Sequence, residues 1–285
     1  MLWEELRQDQ FLDAVKASNG VCALPIGCVE SHGIHMPLGC DVMHVLEHSK
    51  QAAEKEPVVI FPPLYFGEKS GAGEYPGTII FPESLIAEIL EHCCNEIYRN
   101  GFKKIIIVNG HGGNTNMLNN FARSTLQKKT GYMVYVFSSP LGECMPAKIL
   151  ERKDEFPILT AEDIKVLEDY VNEGKKGGHG CFTETGWLYH LLPDLVRLDL
   201  MNAKDGTNRH VWDGFSQRKI YSPFGWAANF PDSLGGDYHQ GMNERIAKVM
   251  NDIAVDLLAD VFKFLKEETV SDKFYEQWAA KNPLL

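Results

Sequence analysis

This sequence has no Cys-x-x-Cys pair, no run of basic residues and no apolar stretch near the roughly 18 residues needed to cross a bilayer. The first absence argues against a thiol redox or zinc-ribbon site. The seven cysteines are odd in number and irregularly spaced, so they read as small core residues of a reduced protein. The second absence, with a formal net charge of −11, argues against nucleic acid and anionic membrane surfaces as partners and leaves a small-molecule substrate. Residues 1–10 carry neither a basic n-region nor an apolar h-region, so no secretory leader is expected and the expected location is cytoplasmic.

What is present is an ordinary globular composition, 44% hydrophobic and 24% charged over 285 residues. No linker, repeat or low-complexity segment interrupts it, and one domain spanning 1–285 is expected. The chain alternates strand-like and helix-like segments. Val21-Cys-Ala-Leu-Pro-Ile26, Pro57-Val-Val-Ile-Phe61, Phe102-Lys-Lys-Ile-Ile-Ile-Val108 and Gly131-Tyr-Met-Val-Tyr-Val-Phe137 read as strands. Between them, apolar residues at helical spacing mark helices over about 41–55, about 85–97 and from Met117 to Leu126. Such alternation predicts an α/β fold with a mostly parallel sheet. Further helices are expected over about 161–173 and 183–191, and a long one carries Ile246, Val249, Met250, Ile253, Leu257 and Val261. Residues 205–240 show no period, and their Tyr221, Phe224, Trp226 and Tyr238 are candidate pocket walls.

In open parallel sheets ligands bind at the carboxyl ends of the strands. Two glycine-rich polar turns fall at such ends, Gly27-Cys-Val-Glu-Ser-His-Gly-Ile-His35 and Asn109-Gly-His-Gly-Gly-Asn114. The first holds a carboxylate and two imidazoles, followed by Asp41 at a helix start; the second adds His111. Oxygen and nitrogen donors drawn from several loops suit Zn, Mn or Fe(II). Taken singly, each residue has a plainer reading: Asp41 as a helix N-cap, His111 as a turn residue, Glu184 as a first-turn carboxylate favoured by the helix dipole. Thr183 reads as the N-cap of that helix. His44-Val-Leu-Glu-His48 matches the zinc-protease pattern H-x-x-E-H, but on a helix with charged neighbours it also fits a solvated face.

Three segments together resemble the creatininase (creatinine amidohydrolase) family. The family pattern LPxGxxEQHGPHLPLxxD is matched by Leu24-Pro-Ile-Gly-Cys-Val-Glu-Ser-His-Gly-Ile-His-Met-Pro-Leu-Gly-Cys-Asp41, NGHGGN by Asn109–Asn114, and GHAGxxET by Gly178-His-Gly-Cys-Phe-Thr-Glu-Thr185. Ser31, Ile34 and Gly186 depart from the usual Gln, Pro and Ser. The resemblance implies a three-layer α/β/α sandwich, two divalent metal ions, and homo-oligomers, commonly homohexamers built from dimers. It implies metal ligation by Glu30, His32, Asp41 and His111, with Asp41 bridging. In the creatininases proper a glutamate two residues after the histidine of the NGHGGN-type segment completes the second site. Here that position is Gly113, so Glu184 is the expected ligand and is counted with His179, the family's proton-shuttling histidine, among the catalytic residues.

The reaction so implied is hydrolysis of an amide bond, in a cyclic amide, formamide or related small molecule, by metal-activated hydroxide. The backbone N–H groups of Gly112 and Gly113 are candidates for the oxyanion, with Asn114, Tyr221 and Trp226 as further substrate contacts. Creatinine itself is not the expected substrate, because no tryptophan of this chain aligns with those that close over creatinine. A first alternative keeps the metals but opens an oxidised inositol ring by C–C hydrolysis. A second is a phosphate- or nucleotide-binding protein cradling its ligand in Asn109–Asn114, although that turn lacks both the P-loop Lys-Ser/Thr and the G-x-G-x-x-G spacing.

Overall fold

The computed structural model describes every residue except 70, 72, 202, 204, 205, 232–238 and 283–285. Four strands form one parallel sheet: β1 (Val21–Ile26), β2 (Val59–Ile60), β3 (Lys104–Asn109) and β4 (Met133–Ser138), in the order β2-β1-β3-β4. The helices are α1 (Gln8–Ala17), α2 (Cys40–Lys55), α3 (Glu83–Arg99), α4 (Asn114–Ser124), α5 (Pro146–Glu151), α6 (Ala161–Asn172), α7 (Phe182–Leu191), α8 (Asp213–Gln217), α9 (Gly225–Asn229), α10 (Glu244–Glu267) and α11 (Val270–Lys281).

The period-2 geometry of the strands divides the core into two layers. Cys22, Leu24 and Ile26 of β1, with Ile105 and Ile107 of β3, face Ala14 of α1, the Ile86–Leu90–Cys94–Ile97 stripe of α3, and Met117, Leu118 and Phe121 of α4. Val21 and Ala23, with Ile106 and Val108, face Val45, Ala52 and Ala53 of α2 and Val255, Leu258 and Phe262 of α10. Helices therefore cover both faces of the sheet, as in the expected α/β/α sandwich. A third apolar cluster joins Tyr170 of α6 and Phe182 and Trp187 of α7 to the first half of α10. Because α10 runs through both this cluster and the sheet layer, it ties the two together.

Two details differ from the expected elements. The strand expected over 57–61 shrinks to Val59–Ile60, since the prolines at 57, 62 and 63 lack the N–H a ladder needs. Cys181, not Thr183, is the N-cap of α7, so Thr183 lies inside the first turn, fully buried.

The chain leaves β1 outward to β2 and returns on the other side of β1 to form β3. This is the reversal that opens a crevice at the strands' carboxyl ends. The loops after β1 and β3 start side by side there, with Ile26 in register with Asn109. Close approach requires glycine at this point: a Cβ on Gly27 would strike the Val42 backbone and one on Gly110 the Asp41 carbonyl.

Far from the crevice, buried Asp163 joins two helix starts. Its carboxylate accepts from the Thr160 N–H and hydroxyl, from Asn243, and from Arg245 at 2.6 and 2.9 Å. Arg245 and these donors hold its carboxyl far below the usual carboxylate range. Asp163→Ala is expected to cost about 2–3 kcal/mol, because Arg245 remains partly solvated and only the neutral donors are left stranded. The check is a lower urea midpoint with unchanged m. A depressed carboxyl contributes stability above its unfolded value, and that contribution is lost as pH falls below about 4. The variant should therefore lose less stability on acidification than the parent.

Candidate metal centre

Loop 27–39, the start of α2, the turn between β3 and α4, and the start of α7 bring Glu30, His32, Asp41, His111 and Glu184 into one pocket. Glu30 and His32 are fully buried, and Asp41 and His111 are 1% and 5% exposed. Asp41 is the second residue of α2 rather than its N-cap, which is Gly39. Its side chain turns inward to the middle of the group. Asp41 Oδ2 lies 2.9 Å from His111 Nδ1, which is also 2.9 Å from Glu30 Oε1. The other oxygen, Oδ1, lies 3.0 Å from His32 Nε2, which stands 4.0 Å from Glu184 Oε2. One carboxylate thus faces two donor sets, Glu30 with His111 and His32 with Glu184.

Backbone carbonyls fix which ring nitrogens are turned to the pocket. A carbonyl only accepts, so His111 Nε2, 2.9 Å from the Glu68 carbonyl, carries a proton. By the same rule His32 Nδ1, 3.3 Å from the Glu30 carbonyl, carries one too. His111 Nδ1 and His32 Nε2 remain as ligand atoms, the arrangement outer-shell partners impose on metal-binding imidazoles. His32 Nε2 is fully buried yet makes no hydrogen bond of acceptable geometry, despite its approach to Asp41. A buried nitrogen facing an oxygen without bonding to it suits two ligands that share a cation, so the donor set fits divalent metal.

The electrostatics agree. Burial alone would lower His32 and His111, but the carboxylates of Asp41 and Glu30 outweigh it and raise them to about 9 and about 10. Burial would raise Glu30, yet the surrounding imidazoles hold it at about 2, and the same contest leaves Asp41 far below its ordinary value. Burial, opposed by His32, lifts Glu184 to about 7. In the metal-free protein at pH 7.5 the two imidazoles therefore carry protons that a bound cation must displace. Zinc addition to the metal-free chain at this pH should release at least two protons, those of His32 and His111. Affinity should rise with pH and flatten above about 9–10; isothermal titration in buffers of different ionisation enthalpy measures the release. The raised histidines stabilise the metal-free fold below about 6.5, and that contribution is lost as pH rises through 9–10.

A cavity of about 840 Å³ opens onto this group, bordered by His111, His179 and Glu184. Burial and His32 depress His179 to about 3, so it is neutral. Its ring packs on His32 at 4.1 Å between centroids, and Nε2 donates to the Ser31 carbonyl at 2.7 Å, leaving Nδ1 as the accepting nitrogen. Glu184 Oε2 accepts from the Gly180 N–H at 2.6 Å, which fixes its rotamer at the start of α7. Gly112, Gly113, Tyr221 and Trp226 line the cavity. Tyr221 is largely exposed, and Trp226 meets His179 edge-on at 5.3 Å.

Several expected residues have other places. Asn114 is fully buried and does not line the cavity. Its amide donates to the Gly27 carbonyl and Asn109 Oδ1 and accepts from the Glu68 N–H, tying three loops together. His35 turns to Thr185 Oγ1 at 3.0 Å. Phe224 is 70% exposed, and Tyr238 lies outside the described residues. His44 and His48 sit on no solvated face. Both are buried against Trp187, and His44 Nε2 donates to the Gly110 carbonyl at 3.1 Å.

Two residues went unremarked in the sequence. Lys69, in the glycine-rich loop after β2, places Nζ 2.5 Å from Glu30 Oε2 and over the Trp226 ring. Its signal was that loop's length and composition. Cys28, inside the first motif, directs its thiol at Asp41 Oδ2 (3.0 Å) and Glu30 Oε1 (3.4 Å).

Fold and pocket together define an α/β/α protein with a buried carboxylate–imidazole centre at the switch point of a parallel sheet. The family model described as Creatininase: Creatinine amidohydrolase matches residues 4–261, and the chain belongs to that family. It is 28% identical over 207 residues to the creatinine amidohydrolase of Pseudomonas putida, covering 68% of this chain and 73% of that one. Over 90 residues, 31% of this chain and 29% of the relative, it is 29% identical to the 3-dehydro-scyllo-inosose hydrolase of Thermotoga maritima. A creatininase mutant described as the Zn-Zn type superposes with a TM-score of 0.68 at 21% identity, over 94% of this chain and 98% of that one.

Proposed function

We propose that this chain is a dinuclear metal-dependent hydrolase that cleaves an amide C–N bond in a small molecule. The observation that carries the reading is Asp41, whose two oxygens face separate donor sets. Glu30 and His111 would hold one ion, His32 and Glu184 the other, and Asp41 both. Zinc or manganese bound there would supply Lewis acidity and a water of lowered pKa. The zinc description of the superposed creatininase supports that choice.

The residues of the chain supply the rest. Neutral His179, beside His32 and at the cavity wall, takes a proton and returns it to the leaving group, a role worth typically 100- to 10,000-fold. The backbone turn at Gly112 and Gly113 borders the cavity at the N-terminus of α4, where the helix dipole favours a developing negative charge. Trp226 stands edge-on to His179 at the cavity wall. The protein acts as one domain in the reduced cytoplasm, and association into a homo-oligomer is part of the same reading.

C–C ring opening would use the same groups, and the polar wall formed by Asn116, Asn120, Ser138 and Ser139 suits a hydroxylated substrate. A panel of cyclic amides, formamides and ketocyclitols, assayed with metal-stripped protein before and after adding zinc or manganese, separates the two. Metal-restored turnover of an amide supports the proposal. Turnover only of the ketocyclitol overturns the amide assignment, and turnover without metal overturns both. His179→Ala should keep the metal content while lowering kcat about 100-fold or more.

A further inference from the structure

We propose that Cys28 is a sulfur ligand to the ion held by Glu30, Asp41 and His111, so that this half of the centre is a mixed sulfur, nitrogen and oxygen site preferring zinc to manganese. The inference rests on the metal-site reading above and adds a donor to it.

Cys28 follows Gly27 directly at the end of β1 and is completely buried. Its sulfur is grouped with one donor atom each from Glu30, Asp41 and His111, all mutually within 4.8 Å. The separations are 2.9 Å from His111 Nδ1 to each carboxylate, 3.0 Å from sulfur to Asp41 Oδ2 and 3.4 Å from sulfur to Glu30 Oε1. Tetrahedral zinc with bonds of about 2.0–2.3 Å sets neighbouring donors about 3.3–3.7 Å apart. The four atoms are thus already clustered, and the four separations given open by about half an ångström or less to admit the ion. A thiol serving only as a hydrogen-bond donor needs one acceptor, whereas this sulfur faces both carboxylates that would bind the metal.

On ligation the S–H proton leaves to solvent as the metal–sulfur bond forms. A bound cation deprotonates a coordinating thiol outright, so no oxidant or reductant takes part. Thiolate is a soft donor and favours zinc over manganese. Cys40, which adjoins His32 and Asp41, directs its S–H to Met36 Sδ at 4.0 Å instead and is the natural control.

Cobalt(II) added to the metal-free full chain reads the ligands directly. The expected spectrum has visible d–d bands and a near-ultraviolet sulfur-to-cobalt charge-transfer band. Cys28→Ser keeps the d–d bands, which shows that the site still forms, and loses the charge-transfer band, while Cys40→Ser keeps both. The zinc-to-manganese affinity ratio should fall about tenfold or more in Cys28→Ser. X-ray absorption of the zinc-loaded parent should show a sulfur scatterer at about 2.3 Å. Visible bands without charge transfer overturn the sulfur ligand and leave the metal centre standing, and so does a band that follows Cys40. Failure to bind cobalt at all overturns the metal centre itself.

Discussion

Asp41→Asn is expected to release both ions and to lower turnover by at least about 1,000-fold, a loss near 4 kcal/mol in transition-state stabilisation. Each Asp41 oxygen serves one donor set, at 2.9 Å from His111 Nδ1 and 3.0 Å from His32 Nε2. Asparagine matches it in size but carries no charge, and one of its two terminal atoms is an amide nitrogen that cannot ligate. The amide oxygen that remains can serve only one set, and serves it without charge, so neither ion keeps the shared carboxylate. Because the side chain is buried and α2 does not use it as a cap, the helix should persist. Circular dichroism of parent and variant, both metal-free, should therefore match, while metal analysis and kcat/KM separate them. A variant that kept two ions would show that Asp41 is not the shared ligand.

Glu184→Gln is expected to have the second-largest effect, and an asymmetric one. Glu184 belongs to the set around His32 and does not touch His111, so its loss should remove one ion and leave the one held by Glu30, Asp41 and His111. Turnover should fall about 100-fold or more, near 2.7 kcal/mol. Glutamine can still accept from the Gly180 N–H, so the start of α7 is preserved. His111→Ala is the mirror experiment and should remove the other ion. The role of Glu184 is also consistent with Gly113. A Cβ there would press on His111 Nε2, leaving no room for a carboxylate side chain from that turn without a shift of the imidazole. If Glu184→Gln retained two ions, the second set would need a different carboxylate.

Much of this centre was legible because it is local. Glu30, His32 and Asp41 lie within one motif, and strand-end glycines on either side of the switch point bring His111 to them. The buried apolar runs of β1 and β3 likewise announced a sheet covered on both faces. Less local features were harder to read. The side of α2 that carries His44 and His48 fitted a solvated face because both share a helix with charged residues. In the structure that side packs against α7 and α10, with His44 Nε2 donating to the Gly110 carbonyl and Ser49 Oγ turned back to the Val45 carbonyl of its own helix. Asn114 looked like a ligand-facing turn residue, yet its three amide contacts go to segments 5, 46 and 87 residues away in sequence. No periodicity reports such contacts. Lys69 was hidden for the same reason, being placed by the fold against Glu30 and Trp226 from a loop without regular structure.

The central claim is that five side chains hold two ions about one shared carboxylate, and the most direct test is a metal count. Protein prepared without chelator, supplied with zinc or manganese and freed of excess, should contain about two equivalents per chain by plasma emission spectroscopy. Asp41→Asn treated the same way should contain close to none. A parent chain that holds fewer than about half an equivalent would contradict the account.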